Sequence, residues 1–278
     1  MSKKIAIIND FSGFGRCSIS VILPIVSHLG VQGCALPTAI FSNHTGFPSF
    51  WHEDETRNMP SYIAEWKKLD LRFDAIMSGF LGSARQIGIV EDFFRSFHKR
   101  GTRYVVDPVM GDNGHFYPTI TPRLAKDLKR LVAYADILTP NITEACLLTG
   151  TPYQQVWRRS ELDEIAQKLH DLGAKDLVIT GIRIGENWIG NAVYPHGGNL
   201  TMQRQHLVNQ MRSGTGDVFA AVIGADVVNG VPFAKSVKRA SRFVAQCLIE
   251  TSKSNEPTTN GVDFELVLPR LSKGVRGR

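Results

Sequence analysis

The 278-residue sequence has little cysteine and no long apolar run, and each shortage excludes a class of protein. The cysteines, Cys17, Cys34, Cys146 and Cys247, show no C-x-x-C or C-x-x-H spacing, which argues against a zinc site or a disulfide framework. The longest apolar stretch, VFAAVIGADVV, is too short to span a bilayer and contains Asp226. No signal-peptide-like segment follows the first lysines. We therefore predict a cytoplasmic protein with no membrane partner.

Lysine and arginine are scattered along the sequence and form few clusters, although the net charge is +6. The clearest basic cluster is the tail RLSKGVRGR, about residues 270–278, and no aromatic residues interleave with it. Nucleic-acid-binding segments usually combine cations with stacking aromatics. The sequence thus predicts no nucleic-acid partner, while its positive charge suits a small anionic ligand.

What is present is an alternation of short apolar runs with helical patterns. The runs KKIAII, CALPTAIF, DAIMSGF, RYVVDPV, ADILTP and DLVITGI are apolar on consecutive residues, which indicates strands buried on both faces of a parallel sheet. The helical stripe that ends near Gly173 has Ser160 as its candidate N-cap. Further helices are predicted over 217–229, 232–251 and 262–271.

The stretch NWIGNAVYPHGGNLTMQRQHL breaks this rhythm and predicts a β-hairpin at the edge of the sheet. We find no internal repeat, linker or low-complexity tract. The sequence therefore predicts one three-layer α/β/α domain over residues 1–278, with a mostly parallel central sheet.

The strongest candidate for chemistry is the motif SGTGD. Gly214 and Gly216 flank Thr215, and Asp217 opens an apolar helix. Two glycines allow a tight turn whose N–H groups face one point before a helix N-terminus, which suits a phosphate. Asp217 would then be placed to accept a proton from an attacking hydroxyl, although capping of the helix explains an acid there equally simply.

Two further motifs place acids after predicted strands, where open parallel sheets bind ligands. In DPVMGD, Asp107 and Asp112 would suit Mg²⁺ bound partly through water, or would simply begin a turn. In TPNITEA, Asn141 and Glu144 have the spacing of a capping box, which explains them without a ligand.

Other polar or aromatic residues follow the remaining strands. Asn43 and Thr45 flank His44 in a loop able to hydrogen-bond a small polar ligand, Thr180 lies at the same predicted edge, and Phe80 offers a flat apolar wall.

The first turn, NDFSGFGRCSIS, nearly spells the G-x-G-x-x-G dinucleotide fingerprint. An NAD-dependent oxidoreductase is therefore one interpretation. It lacks an acid in the expected context about 20 residues further on, and it leaves SGTGD unexplained.

Taken in order, NDFSGFG, FSNHTGF, DPVMGD, TPNITEA, VITG and SGTGD resemble the ribokinase-like superfamily, and within it the vitamin kinases. The resemblance implies a fold without a large lid domain, a homodimer, and ATP and Mg²⁺ as cofactors, with a monovalent cation such as K⁺ as a further candidate. It implies that the Gly214–Asp217 turn is the anion hole and Asp217 the catalytic base.

The same resemblance assigns the remaining site residues of the phosphate end. Asp107 and Glu144 would organise Mg²⁺, largely through water. Asn141 would lie near the phosphates, and Thr180 would contact the nucleotide together with the Gly214–Gly216 backbone.

At the acceptor end, the resemblance assigns Thr45 and Phe80 to the pyridine ring of the substrate. Asp10 and Ser12 of the first turn would face the same ring, beside the polar loop of Asn43.

Two substrates stay open. FSNHTGF and SGTGD resemble the corresponding motifs of pyridoxal kinases. This resemblance implies phosphorylation of the 5′-hydroxymethyl group of a B6 vitamer, which is pyridoxal, pyridoxine or pyridoxamine. DFSGFG is nearer the first turn of the hydroxymethylpyrimidine kinases of thiamine synthesis. A non-catalytic vitamin-binding protein on this fold would be expected to have a damaged SGTGD motif, and the motif is whole.

Overall fold

The computed structural model describes residues 3–208 and 212–271. In that part of the chain, helices and strands alternate as the sequence predicts. In chain order they are β1 (Lys4–Ser12), α1 (Ser18–His28), β2 (Gln32–Phe41), β3 (His52–Asp54), α2 (Met59–Lys68), β4 (Ala75–Ser78), α3 (Ala84–Phe97), β5 (Arg103–Val106), β6 (Gly111–Asp112), β7 (His115–Phe116), α4 (Pro122–Val132), β8 (Ile137–Leu138), α5 (Ile142–Thr149), α6 (Arg159–Asp171), β9 (Asp176–Ile184), β10 (Trp188–Tyr194), β11 (Thr201–His206), α7 (Thr215–Val228), α8 (Phe233–Thr251) and α9 (Leu268–Leu271).

The central sheet has nine strands in the order β11-β10-β9-β8-β5-β4-β1-β2-β3. The six strands from β9 to β2 are parallel. The predicted hairpin is confirmed as β10 and β11, which pair antiparallel at one edge. The sequence analysis missed β3, which pairs antiparallel with β2 at the other edge, because this three-residue strand is fully exposed and carries no apolar pattern.

Two apolar layers cover the sheet, which confirms the three-layer architecture. In β1, Ile5 and Ile7 pack with α1, α7 and α8, whereas Ala6 and Ile8 pack with the layer that contains α3 to α6. Successive side chains of a strand face opposite sides, so burial on both sides produces the consecutive apolar residues seen in the sequence.

Three predicted helix ends were wrong. Ser160 is not an N-cap, because α6 begins at Arg159 and its first turn is closed by Glu161, which accepts from the backbone N–H of Arg158 at 2.7 Å. Helix α7 begins at Thr215, so Asp217 lies inside its first turn. Only Leu268–Leu271 of the predicted 262–271 segment is helical.

The parallel strands bring their carboxyl ends to one edge of the sheet, and the candidate site residues lie along this edge. In the described ranges, no helix is both long and apolar enough to cross a membrane. Most of the basic tail predicted at 270–278 lies outside the described residues.

Candidate active site

The glycine turn before α7 is fixed by a close approach of two backbones. Gly214 has φ +83°, in the left-handed region, and a Cβ added there would overlap the carbonyl oxygen of Arg16 in the first turn. Only glycine satisfies both conditions. The turn therefore presents the first N–H groups of α7, which have no partner within the helix, together with the positive end of the helix dipole. This arrangement is suited to binding an anion.

Asp217 lies in the first turn of α7 with part of its side chain buried. Its carboxylate accepts a hydrogen bond from Asn9 Nδ2 at 3.3 Å and another from the backbone N–H of Ser18. Burial raises the pKa of Asp217 to about 7, with a further contribution from the nearby negative charge of Asp10, and the hydrogen bonds only partly oppose it. A carboxyl group with this pKa can accept a proton at neutral pH.

Asn9 and Ser18 were missed by the sequence analysis. Asn9 is buried, and its Oδ1 accepts from the backbone N–H groups of Asp10 at 2.9 Å and Phe80 at 2.8 Å, so its Nδ2 must face Asp217. Ser18 has φ +56°, which turns its N–H toward the same carboxylate. Positive φ in a residue other than glycine often marks a functional site, but it is not visible in a sequence.

A second group of acids, Asp107 and Glu144, lies beside the glycine turn. An ideal Cβ on Gly216 would lie 4.0 Å from Asp107 Oδ2. Burial raises the pKa of both carboxyls, and each is raised further by negative charge, Asp107 by Asp217 and Glu144 by Asp107. A hydrogen bond from Thr139 partly offsets the effect at Asp107.

Asn141 and Glu144 form the capping box that their spacing predicts at the start of α5. Asn141 Oδ1 accepts from Glu144 N at 2.9 Å, and Glu144 Oε2 accepts from Asn141 N at 2.9 Å. Both side chains also reach outward: Glu144 Oε1 accepts from Met110 N at 3.0 Å, and Asn141 Nδ2 donates to Gly111 O at 2.8 Å. The cap therefore also holds the 107–112 loop in place.

The other residues predicted for the phosphate end lie close by. Thr180 is bridged to Asn141 across adjacent strands, and its N–H donates to Pro140 O at 2.9 Å. Asp112 lies in β6, where burial raises its pKa. Tyr117, in the same loop, is close enough to the acids for their charge to raise its pKa after burial. The loop thus lies over the acid group.

Asp10 and Ser12, the first-turn residues predicted for the acceptor end, are both buried, and Asp10 lies near Asp217. Ser12 Oγ donates to Asp10 Oδ2 at 3.0 Å, and Ser18 adds a second side-chain hydrogen bond to Asp10. Burial nevertheless raises the pKa of Asp10. Burial raises the pKa of the Cys17 thiol, and the nearby charges of Asp10 and Asp217 raise it further, which disfavours a thiolate there at neutral pH.

The other residues predicted to bind the phosphoryl acceptor lie around the first turn. Phe80 is buried edge-on against Phe41, with ring centroids 5.9 Å apart, and its N–H is held by Asn9. Asn43 Nδ2 donates to Ser49 O at 2.8 Å within its own loop, and Thr45 is half-buried in the same loop. Thus Phe80 lies beside Asn9, which contacts Asp217, whereas the loop of Asn43 and Thr45 contacts the first turn, where His44 packs against Gly15.

The acids fit a divalent cation in chemical type. Asp107 and Glu144 offer hard carboxylate oxygens whose mutual repulsion a cation would relieve. Within 3–208 and 212–271, no three His, Cys, Asp or Glu side chains are grouped closely enough to hold a metal ion. Two protein ligands with water completing the shell is the arrangement that suits Mg²⁺.

A parallel sheet with a glycine turn, a helix N-terminus and carboxylates at its carboxyl edge is the arrangement of a small-molecule kinase of the ribokinase-like type. The sequence profile of the phosphomethylpyrimidine kinase family matches residues 23–261. This chain belongs to that family and is an ATP-dependent small-molecule kinase. The NAD-dependent interpretation of the first turn is therefore set aside.

The chain is similar to relatives of two kinds, pyridoxal kinases and hydroxymethylpyrimidine kinases. It is 30% identical to the pyridoxal kinase of Ovis aries over 70% of this chain and 68% of the relative. It is 26% identical to the hydroxymethylpyrimidine/phosphomethylpyrimidine kinase of Haemophilus influenzae, over 88% of this chain and 91% of the relative.

The similar solved structures likewise include a protein named as a phosphomethylpyrimidine kinase and a pyridoxal kinase. A candidate phosphomethylpyrimidine kinase of Bacteroides thetaiotaomicron, crystallised with pyridoxal, has a TM-score of 0.95 and 37% identity over 98% of this chain and 96% of its own. The pyridoxal kinase of Lactobacillus plantarum has a TM-score of 0.89 and 28% identity over 98% and 97%. These neighbours confirm the predicted fold.

Proposed function

We propose that this kinase transfers the γ-phosphoryl group of ATP to the 5′-hydroxymethyl group of a B6 vitamer, with Asp217 as general base. The observation that carries the proposal is a carboxyl with a pKa of about 7 directly beside an anion-binding glycine turn. This pairing places a proton acceptor next to a site for the transferring phosphoryl group.

In this mechanism the chain's own groups mainly position and stabilise the reactants. The N–H groups of the Gly214–Asp217 turn bind the transferring phosphoryl group and stabilise the charge that develops on it. Asn9 and Ser18 orient the Asp217 carboxylate, which accepts the proton of the attacking hydroxymethyl group. General-base assistance of this kind typically contributes about 10²–10⁴ in rate.

Asp107 and Glu144 are the residues that would hold Mg²⁺, which would offset negative charge on the phosphate oxygens. Asn141, after the end of β8, and Thr180, within β9, would then face the nucleotide. Asp10, Ser12, Asn43, Thr45 and Phe80 would form the acceptor pocket around the ring.

A B6 vitamer is favoured over a pyrimidine on two grounds. The chain is 37% identical over nearly its whole length to a protein crystallised with pyridoxal. It also has Asp at position 217 and the FSNHTGF loop, the two motifs that resemble pyridoxal kinases. Support for the alternative, a hydroxymethylpyrimidine kinase, comes from the family profile and from the Asp10–Gly13 first turn.

A substrate panel with MgATP tests the proposal. ATP consumption and the phosphate ester formed are measured with pyridoxal, pyridoxine, pyridoxamine and hydroxymethylpyrimidine, and with no acceptor. Asp217→Asn, prepared in parallel, is the control for contaminating kinases. We expect the highest kcat/KM of the panel for one of the B6 vitamers. A tenfold or greater preference for hydroxymethylpyrimidine would replace the substrate proposal with its alternative.

We also propose that the chain works as one domain in a homodimer, as its resemblance to vitamin kinases implies. Sedimentation equilibrium of the active enzyme would give twice the chain mass of 30.8 kDa, and a monomeric active species would contradict this.

A further inference from the structure

Residues 256–265, here called the C-terminal segment, contact three turns that the proposed function uses. The segment follows α8 and contains a short 3-10 turn, Thr258–Asn260. It contains none of the predicted site residues. Its contacts reach the first turn, the acceptor loop around Thr45, and the strand-to-helix turn before α7.

Arg16 makes the contact with the first turn. Its Nη1 lies 2.7 Å from Asp263 Oδ1 and its Nε lies 2.9 Å from Glu265 Oε1, while Glu256 lies further away at 3.7 Å. Asp263 is buried, whereas Glu256 and Glu265 are exposed. A guanidinium held by a buried carboxylate and by a second one at Nε has little freedom to rotate, so these ion pairs tie Arg16 to the C-terminal segment.

The other two contacts go to backbone carbonyl groups of the segment. Arg212, just before the glycine turn, donates from Nη1 to Glu256 O at 3.0 Å and to Pro257 O at 2.6 Å. His44, in the acceptor loop, hydrogen-bonds through Nε2 to Thr259 O at 2.7 Å. One segment therefore holds the turns that bear both the acceptor residues and the base.

The backbone of the first turn lies between the segment and the glycine turn. Arg16 O is the atom that a Cβ at Gly214 would overlap, and a Cβ at Gly261 would lie 2.6 Å from Gly15 O. Arg16 has φ +41°, and two residues later Ser18 donates its N–H to Asp217. A shift of Arg16 would therefore move both the floor of the acceptor pocket and a hydrogen bond to the base.

We infer that the C-terminal segment sets the distance between the acceptor and the base, and that Arg16 is the positioning residue through which it acts. The inference rests on the proposed function, since it assigns acceptor binding to the first turn. A cavity of about 340 Å³ is lined by Phe14 and Arg16 of the first turn and by Glu256 and Phe264, so the first turn has space to move once Arg16 is released. The Asn141–Glu144 cap at the nucleotide end is held instead by Met110 and Gly111.

The test is steady-state kinetics of Arg16→Gln and Arg16→Lys with the acceptor that the wild type phosphorylates, together with calorimetric binding of MgATP. We expect Arg16→Gln to raise the acceptor KM at least tenfold and to lower kcat, with MgATP affinity within twofold of wild type. Arg16→Lys should recover part of the loss. Arg130→Gln, which removes an arginine paired with Glu91 on the far layer, is the matched control and should leave all constants unchanged.

Each result decides the inference. Unchanged acceptor KM and kcat in folded Arg16→Gln would overturn it, as would a parallel loss of MgATP affinity. If Arg16→Gln does not fold, Glu265→Ala removes the exposed partner of Nε and is judged by the same criteria, with at least a threefold rise in acceptor KM expected. Failure of the proposed function would appear separately, as a wild type that prefers another acceptor in the panel.

Discussion

The amino ends of the parallel strands form one edge of the central sheet, here called the amino edge, and their carboxyl ends form the carboxyl edge. Carboxylates at the amino edge have cationic partners, whereas those at the carboxyl edge lack them among the described residues. At the amino edge, Asp136 is buried but accepts from Tyr104 N at 2.9 Å and pairs with Lys175 at 2.8 Å. Asp176 pairs with Arg103 at 3.6 Å and accepts from His196 N. At the carboxyl edge, none of Asp10, Asp107, Glu144 and Asp217 has a Lys or Arg partner among the described residues.

This difference supports the proposal that the carboxyl edge binds the reactants. Paired carboxylates at the amino edge connect strands and loops, whereas burial without a cationic partner disfavours the ionised form of the carboxyls at the carboxyl edge and raises their pKa. A bound cation or a proton would relieve this cost. Substitutions at the two edges test this comparison.

The largest expected effect is on turnover in Asp217→Asn. Removing the general base should lower kcat by about 10²–10⁴, because the amide cannot accept the hydroxyl proton. MgATP affinity should stay within about twofold of wild type. Asp74→Asn at the amino edge, where an exposed carboxylate only accepts from Lys4 N, is the matched control and should keep full activity.

Gly214→Ala should be nearly as damaging to activity and should also destabilise the fold. The new Cβ would overlap Arg16 O and would stand at φ +83°. We expect kcat to fall by about 10² or more, as for the loss of an anion-hole donor, when measured beside urea unfolding.

Gly230→Ala is the matched control for this substitution. Gly230 has φ +77° with no atom within 4 Å of its added Cβ, so this variant bears backbone strain alone. It should lose about 1 kcal/mol of stability and keep its activity. Equal losses in the two variants would refute the role of the close approach at Gly214.

Neutralising one carboxylate at each edge should change stability with opposite signs. The folded-state pKa of Asp107 is raised above its unfolded value, so the fold loses stability as pH rises above about 4. Asp107→Asn should therefore raise Tm by about 2–4 °C at pH 8 without Mg²⁺. Asp136→Asn, which weakens the pair with Lys175, should lower Tm by a similar amount.

Mg²⁺ provides the control for this pair of variants. Adding it should raise the Tm of wild type and of Asp136→Asn, because a bound cation offsets the repulsion at the carboxyl edge. Asp107→Asn should show a smaller rise. An equal rise in all three proteins would contradict the assignment of Asp107 to the cation.

The smallest effect concerns His44. Its Nε2–H donates to Thr259 O and its Nδ1 accepts from Gly46 N at 3.1 Å, so the ring is neutral, and burial lowers its pKa below the usual 6.5. The unfolded chain therefore binds the proton more readily, and stability falls as pH drops below about 6.5. His44→Gln should flatten this slope in urea unfolding between pH 7 and 5, by less than about 1 kcal/mol. The exposed His115→Gln is the control, and an identical flattening there would contradict the account.

The features that the sequence predicted are those encoded over a few residues. The consecutive apolar strands, the hairpin around HGGN, the Asn141–Glu144 capping box and the glycine turn each depend on local spacing. Asn9, Ser18 and the C-terminal segment could not be predicted in this way. Asn9 meets Asp217 across 208 positions, and Arg16 meets Glu265 across 249, so their roles depend on tertiary packing.

The central claim, that the carboxyl edge holds a base ready to act at neutral pH, is tested most directly by titrating Asp217 itself. The ¹³C signal of its carboxyl group is assigned by its absence from Asp217→Asn and followed from pH 3 to 10 without nucleotide or metal. The structure predicts a midpoint near 7. A midpoint near the ordinary aspartate value of about 4 would contradict the account.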